Sequence, residues 1–188
     1  EPENPTEPEN PTEPENPTES ENPTEPENPD EPAAPPSVVD VFTDVKENSW
    51  YKDAVQTVYN AGLMTGLGAE PTRFAPEETL NRAMFATVLY RLEGSPAIAF
   101  KSNFSDVHQG DWYDSAVIWA SDNGIVTGYS NSGGRPRFGP ADFITREQMA
   151  VMMYRYANYC GLDTSGRASL NRFADRGYIS SFATEAIQ

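Results

Sequence analysis

The chain is poor in cysteine, histidine and base. It has one Cys, one His, and 13 Lys and Arg against 29 Asp and Glu in 188 residues, a net charge of −16. A single cysteine cannot close an internal disulfide, so no disulfide framework holds the fold. Without a basic face, nucleic acid is excluded as a partner, because the phosphate backbone requires one. No run of 18 apolar residues occurs, so no segment reads as a membrane-spanning helix and no membrane partner is expected. The chain opens on Glu1 with no signal peptide and reads as a fragment or a processed product. His108 has no Cys or second His beside it, so it is no zinc ligand. Residues 106–111 are acidic but lack the glycine and closing Glu of an EF-hand at the required offsets. No nucleophile–base pair or paired-carboxylate set stands out, so neither a metal, a cofactor nor catalysis is expected of this chain.

The charge is concentrated at one end. Residues 1–36 hold 12 acidic residues, no Lys or Arg, and 12 of the 17 prolines. Residues 37–188 therefore keep 17 acids against 13 bases, a net of −4. The first 30 residues are a hexad array, EPENPT three times, then ESENPT and EPENPD, followed by EPAAPP. Nothing there is apolar enough to offset the entropy of ordering, so a disordered, polyproline-rich linker is expected. At about 3.1 Å per residue, 36 residues reach roughly 110 Å, a length suited to a stalk. The NPT triplets are not glycosylation acceptors, because Pro fills the middle position.

The remaining residues repeat. Phe42-Thr43-Asp44-Val45 returns as Phe104-Ser105-Asp106-Val107, Trp50-Tyr51 as Trp112-Tyr113, and Gly62 and Gly66 as Gly124 and Gly128, all at an offset of 62. The offset then becomes 64: Arg73-Phe74-Ala75-Pro76 matches Arg137-Phe138-Gly139-Pro140, and Leu80-Asn81-Arg82 matches Ile144-Thr145-Arg146. A two-residue insertion between Gly128 and Arg137 accounts for the change. A third copy starts at Phe173-Ala174-Asp175, and the sequence stops at Gln188 inside what would be its first helix.

Each copy reads as helix, loop, helix. Ser49 and Asp111 are the expected N-caps of the first helices, Gly62 and Gly124 their C-terminal stops. The apolar positions are Ala54, Val55, Val58 and Ala116, Val117, Ala120. The second helices begin at Asn81 and Thr145, and Thr145 with Gln148 makes a capping box. Phe85, Val88, Leu89, Leu92 and Met149, Met152, Met153, Tyr156 recur at i, i+3, i+4, i+7, each the buried stripe of an amphipathic helix. Cys160 reads as a packing residue at a helix end. Arg91 and Arg155 lie in last turns, where a cation suits the helix dipole, and read as structural.

The pattern FxDV…WY…DAV…GxxxG…RFxP…[IL]xR resembles the S-layer homology (SLH) module of bacterial surface proteins. The resemblance covers residues 40–188 and implies an all-α fold of tandem helix-loop-helix repeats around a pseudo-threefold helical core. The expected division is 1–36 linker, 37–97 first repeat, 98–162 second repeat and 163–188 truncated third repeat. It further implies an extracellular, cell-surface location and non-covalent anchoring by binding secondary cell-wall polysaccharide, typically bearing pyruvate ketals, in grooves between neighbouring repeats.

Arg82 and Arg146 each follow an N-cap at the first turn of a second helix. Free backbone N–H groups and the positive dipole end are expected there, and a guanidinium adds bidentate grip on a carboxylate. The bland alternative is a surface pair with Glu78 or Glu147. The resemblance makes this arginine a ligand-binding residue. Trp50 and Trp112 could stack on a sugar face or pack in the core. Asp44 and Asp106 could accept sugar hydroxyls or, the favoured reading, cap the turn before the helix. Gly66 and Gly128 fit either a positive φ or a ligand's close approach.

The sequence departs from the family where TRAE is usual, reading Asn81-Arg82-Ala83-Met84 and Thr145-Arg146-Glu147-Gln148, and Phe182 stands where the third Trp is expected. Glu147 would weaken the anion site beside it. The groove between repeats 1 and 2, walled by Arg82, Gly66, Asp106 and Trp112, is thus the only one expected to be complete. Two alternatives accompany anchoring: a structural module of a surface layer that self-associates through the incomplete third repeat, and the non-catalytic anchor region of a multidomain extracellular enzyme. The truncated copy is also expected to leave an exposed apolar face across residues 173–187.

Overall fold

The computed structural model describes residues 35–68, 72–130 and 133–188. Residues 1–34, which include the whole hexad array, lie outside them. The helices are α1 (Val38–Val41), α2 (Lys52–Asn60), α3 (Arg82–Leu92), α4 (Asp114–Asp122), α5 (Arg146–Tyr159) and α6 (Thr184–Ile187), with 3₁₀ turns at Leu170–Arg172 and Arg176–Tyr178. Among the described residues there is no strand, only three isolated bridges, and the fold is helical as the sequence pattern implies.

The helices end where the glycines say they should. Gly62, Gly94, Gly124 and Gly161 all have positive φ. In each case the following amide returns to the carbonyl five residues back, as Leu63 N does to Val58 O and Ile125 N to Ala120 O. The N-termini differ from expectation. α2 and α4 start one turn later than Ser49 and Asp111. The Ser49 hydroxyl accepts from Lys46 N and the Asp111 carboxylate from His108 N, so both side chains brace the preceding turn. α3 and α5 are capped as read: Asn81 Oδ1 accepts from Met84 N, and Thr145 and Gln148 form the reciprocal box.

Helices pair across copies. α3 packs on α4 and α5 on α6, while α1, a single turn too short to leave a periodic signal, packs on α2. Ala83 and Ala86 of α3 and Ala120 of α4 share one core with Leu89, Val117, Trp119 and Met152. These small residues lie toward the core, which turns the buried side of α3 away from Leu92, 52 % exposed. Met153, expected in the core, is 54 % exposed, because the four-residue α6 is too short to cover the whole stripe of α5. Ala54 is exposed, as is Cys160, whose Sγ lies 3.8 Å from Glu93 Oε1. A second core gathers Val38, Phe42, Val45 and Val55 under Tyr59 and Phe74.

Gly66 and Gly128 occupy equivalent tight spots. Their φ values are +87° and +68°, and a Cβ on either would lie 2.6 Å from a ring carbon, of Phe42 or Phe104, and 2.8 Å from the carbonyl of Arg73 or Arg137. The close approach is made by the protein's own phenylalanine. In the third copy no GxxxG or RFxP segment exists among residues 173–188 to cover the ring, and Phe173 is 40 % exposed against 1 % for Phe42 and 2 % for Phe104. Tyr178 and Phe182 beside it are exposed as well.

Two alanine substitutions separate conformation from crowding. Gly128→Ala is expected to cost about 3 kcal/mol, strain plus overpacking. Gly62→Ala, at positive φ with open space around it, should cost only about 1 kcal/mol. Urea unfolding of the two variants checks the ranking.

Candidate polysaccharide-binding site

The loop that carries the site is held by a carboxylate. Asp44 Oδ1 and Oδ2 accept from the amides of Phe74 and Ala75, each at 2.8 Å. Asp106 does the same to Phe138 and Gly139, at 2.7 and 2.8 Å. Both oxygens of each carboxylate are thus engaged about 30 residues away, and not in the local turn favoured from sequence. Burial alone would raise the Asp44 pKa; the amides of Phe74, Ala75 and Asp44 itself, with Arg73, outweigh it and hold the carboxyl below its ordinary value of 3.8.

The tethered loop of the second copy receives the first. Arg82 N donates to Asp142 O, Ala83 N to Pro140 O, and Ile144 N to Leu80 O. With Met84 N bonded to Asn81, the leading amides of α3 are all taken, contrary to the expectation of free N–H groups beside Arg82. The Arg82 side chain is 6 % exposed. Its Nε donates to Phe138 O at 2.9 Å, and its guanidinium carbon sits 4.7 Å from the centre of the Tyr129 ring and 4.9 Å from that of Phe138. Burial pulls its pKa below the usual arginine value. Neither Glu78 nor Glu147 pairs with it among the described residues; Glu147 accepts instead from Ser180 N at 2.7 Å. The two terminal amino groups of Arg82 have no protein hydrogen bond among the described residues. No fully buried side-chain nitrogen there lacks a partner, so these groups keep solvent access.

Two cavities open at equivalent places in the two copies. The first, about 400 Å³, includes Gly66, Leu67, Asn81, Met84, Arg91 and Trp112. The second, about 290 Å³, includes Arg82, Gly128, Tyr129, Gln148, Arg155 and Phe182. The expected grouping therefore divides: Gly66 and Trp112 share a wall, Arg82 lines the other cavity, and Asp106 lies beneath the Phe138 loop. The second cavity is also built, with Phe182 in the place that Trp112 takes in the first. Trp112 is 63 % exposed and Trp50 93 %, which removes the core alternative for both indoles. Trp50 lines neither cavity. Arg146 is exposed, in a depression of about 580 Å³ that also holds Glu147 and Asp175.

Arg91 and Arg155, helix-end cations by sequence position, each line a cavity. Arg91 Nη1 donates to Leu63 O at 3.0 Å and Arg155 Nη1 to Ile125 O at 3.4 Å, which ties each second helix to the turn after the first. Their recurrence at an offset of 64 was the available signal.

The S-layer homology domain model matches residues 41–86 and 103–150, half of the chain. The chain belongs to the S-layer homology domain family. SLH modules anchor surface proteins and enzymes to the cell wall, so this chain is extracellular and associated with the wall, and the module itself is a non-catalytic anchor that binds cell-wall polymer. Similar proteins include an endoglucanase of Bacillus sp. (strain KSM-635), 34 % identical over 147 residues, 78 % of this chain and 15 % of the endoglucanase. An amylopullulanase of Thermoanaerobacterium thermosulfurigenes is 30 % identical over 146 residues, 78 % of this chain and 7 % of that protein. The surface-layer 125 kDa protein of Lysinibacillus sphaericus is 33 % identical over 117 residues, 61 % and 10 % of the two chains. The SLH chain thus spans a small part of the length of each of these relatives.

The carboxylate clamp gives a pH signature. A carboxyl whose folded pKa lies below its unfolded one contributes stability above the unfolded value and loses it as pH falls through the folded value. Asp44→Asn, which turns an amide donor toward backbone donors, should cost about 2 kcal/mol at pH 7. The gap between wild type and variant should narrow between pH 5 and pH 3, as urea titrations at each pH would reveal.

Proposed function

We propose that this module holds a secondary cell-wall polysaccharide by a sugar-borne carboxylate, a pyruvate ketal being the fitting group, with Arg82 as the principal contact. The reading is carried by one observation: a guanidinium fixed by Phe138 O and two rings, with its terminal amino groups left to the cavity wall. Such a group loses little freedom on binding and can engage a carboxylate through both amino groups. Arg155 supplies a second cation and Phe182 an apolar face for the sugar ring. Gly66 and Trp112 belong to the companion groove. Asp44, Asp106 and the crowding at Gly128 form the scaffold. Arg146 and Trp50, both exposed, serve as outlying contacts.

In this reading residues 37–97 and 98–162 are two repeats and 163–188 the opening of a third, with the proline-rich segment 1–36 as spacer. The larger protein is an anchored one, and the relatives, both glycan-degrading enzymes and surface-layer proteins, suit a module indifferent to its cargo.

Co-sedimentation with purified sacculi, intact and stripped of secondary polymer, tests the reading. Wild type should pellet with intact walls only. Arg82→Ala should lose at least tenfold in affinity, the loss of about 1.5 kcal/mol or more expected for a charge-assisted pair. Arg82→Lys should recover only part, since an ammonium cannot grip bidentately. Thermal unfolding of each variant reports whether the fold persists. Equal pelleting on stripped walls, or by a folded Arg82→Ala, would overturn the proposal.

A further inference from the structure

The two cavities are equivalent by position and unlike in chemistry. Beside the paired glycines, Leu67 in the first corresponds to Tyr129 in the second, and on the second helices Met84 corresponds to Gln148. In the second cavity these residues form a polar couple: Gln148 Nε2 donates to Tyr129 Oη at 3.2 Å. The Tyr129 ring is flanked by two guanidiniums, Arg82 at 4.7 Å and Arg137 at 5.1 Å, and Arg137 is itself held by Asp142 at 2.9 Å. Tyr129 is thus a platform whose tilt is fixed from two sides, and it fixes the plane of Arg82. The first cavity has an apolar couple in the same place, and among the described residues no arginine of another copy enters it. Among the described residues Arg91 is its one lining cation, tethered by Nη1 to Leu63 O as Arg155 of the second cavity is to Ile125 O, so the two cavities differ by Arg82. Where the second cavity has Phe182, it offers the larger indole of Trp112, over an apolar wall of Leu67, Leu80, Met84 and Val88.

We infer that the two grooves divide the polymer between them: the Gly128 groove takes the carboxylate-bearing sugar, and the Gly66 groove takes an uncharged sugar that presents an apolar face. Tyr129 and Gln148 are the positioning residues that make the difference, with Leu67 and Met84 as their apolar counterparts. The proposal rests on the polysaccharide reading above. Three features of the first groove support an uncharged occupant. The indole is 63 % exposed in its wall, the volume of about 400 Å³ accommodates a sugar ring, and Asn81 lines this groove while its neighbour Arg82 lines the other. One polymer can therefore meet both grooves beside the start of α3.

Two probes and three reporters test it. The probes are a neutral methyl hexopyranoside and the same glycoside carrying a pyruvate (carboxyethylidene) ketal across two of its hydroxyls. The reporters, in NMR titrations of the whole chain, are the Trp112 indole N–H, the Arg82 Nε–H and the Gln148 side-chain amide. The ketal should shift Arg82 and Gln148 at least tenfold more tightly than the neutral glycoside does, as a charge-assisted contact requires. Trp112 should respond to the two probes within about threefold. The double variant Tyr129→Leu/Gln148→Met should lose the tenfold preference at Arg82 and leave the Trp112 titration unchanged. Tyr129→Phe, which keeps the ring, guards against misfolding and should retain most of the preference. Equal affinities of the two probes at Arg82, or a tenfold ketal preference at Trp112, overturn the division while leaving wall binding intact. Silence of all three reporters, with no pelleting on sacculi, overturns the polysaccharide reading as well.

Discussion

A carboxylate that accepts two consecutive backbone amides holds this protein together, once in each full copy. Asp44 binds Phe74 and Ala75, and Asp106 binds Phe138 and Gly139. The segments so captured have no sheet and no disulfide to fix them, and an irregular stretch must place its polar backbone groups somewhere. The aspartate supplies two acceptors at one point and aligns RFxP beneath the phenylalanine of its own motif. The phenylalanine ring then presses on a glycine that can carry no side chain, and the two cavities open beside that contact. FxD, GxxxG and RFxP are three parts of one joint.

The joint also explains how copies couple. α3 ends its search for acceptors on the loop of the next copy, through Arg82 N and Ala83 N, so the helix that begins in the first copy is completed by the second. Arg82 is consequently delivered across the boundary and lines the second groove. Arg146 holds the same place in its own motif and faces a different world. Residues 173–188 contain no counterpart of Tyr129 or Phe138 to clamp it, and Glu147 and Asp175 share its depression. Identity of motif does not confer identity of environment when half of the environment comes from a neighbour.

Much of the fold was legible because it is written in local terms. Helix period, the stop glycines, the Asn81 and Thr145 caps and the repeated offsets depend on residues a few places apart. What escaped was long-range. An aspartate before a helix looks like a local cap, and only the fold shows its partners some 30 residues on. Ser49 and Asp111 looked like caps because a hydroxyl and a carboxylate suit that role, but each found an amide in the turn before. Four i, i+3, i+4, i+7 positions named a stripe on α3, yet Ala83 and Ala86 won the core and left Leu92 outside. In the site, Gly66, Gly128 and the exposed indoles were found by repetition. The grouping into grooves was not, since an offset says which residues are equivalent and nothing about which copy contributes each wall. The helix position of Arg91 and Arg155 points only to a dipole cation, whereas their offset of 64, the same that relates Arg82 to Arg146, is the signal that they are equivalent groove residues.

The electrostatics then raise a question of range. The whole chain carries −16 and the body −4, so an anionic polymer approaching it meets repulsion. Screening confines that repulsion to about 8 Å at physiological salt. Inside a groove the balance reverses, because the nearest charges are Arg82 and Arg155 and the surroundings are partly desolvated. Attraction is therefore a contact property and repulsion a distant one. Such an arrangement gains nothing from steering, so under the proposed polysaccharide reading association would be slow and retention would come from slow release. Two grooves on one polymer would supply it: while one sugar leaves, the other would hold the chain near, and the effective concentration at the vacant groove would stay high. On that proposal an acidic module built from repeats would hold an acidic polymer because its cation is buried deep enough to act only on what is already in place.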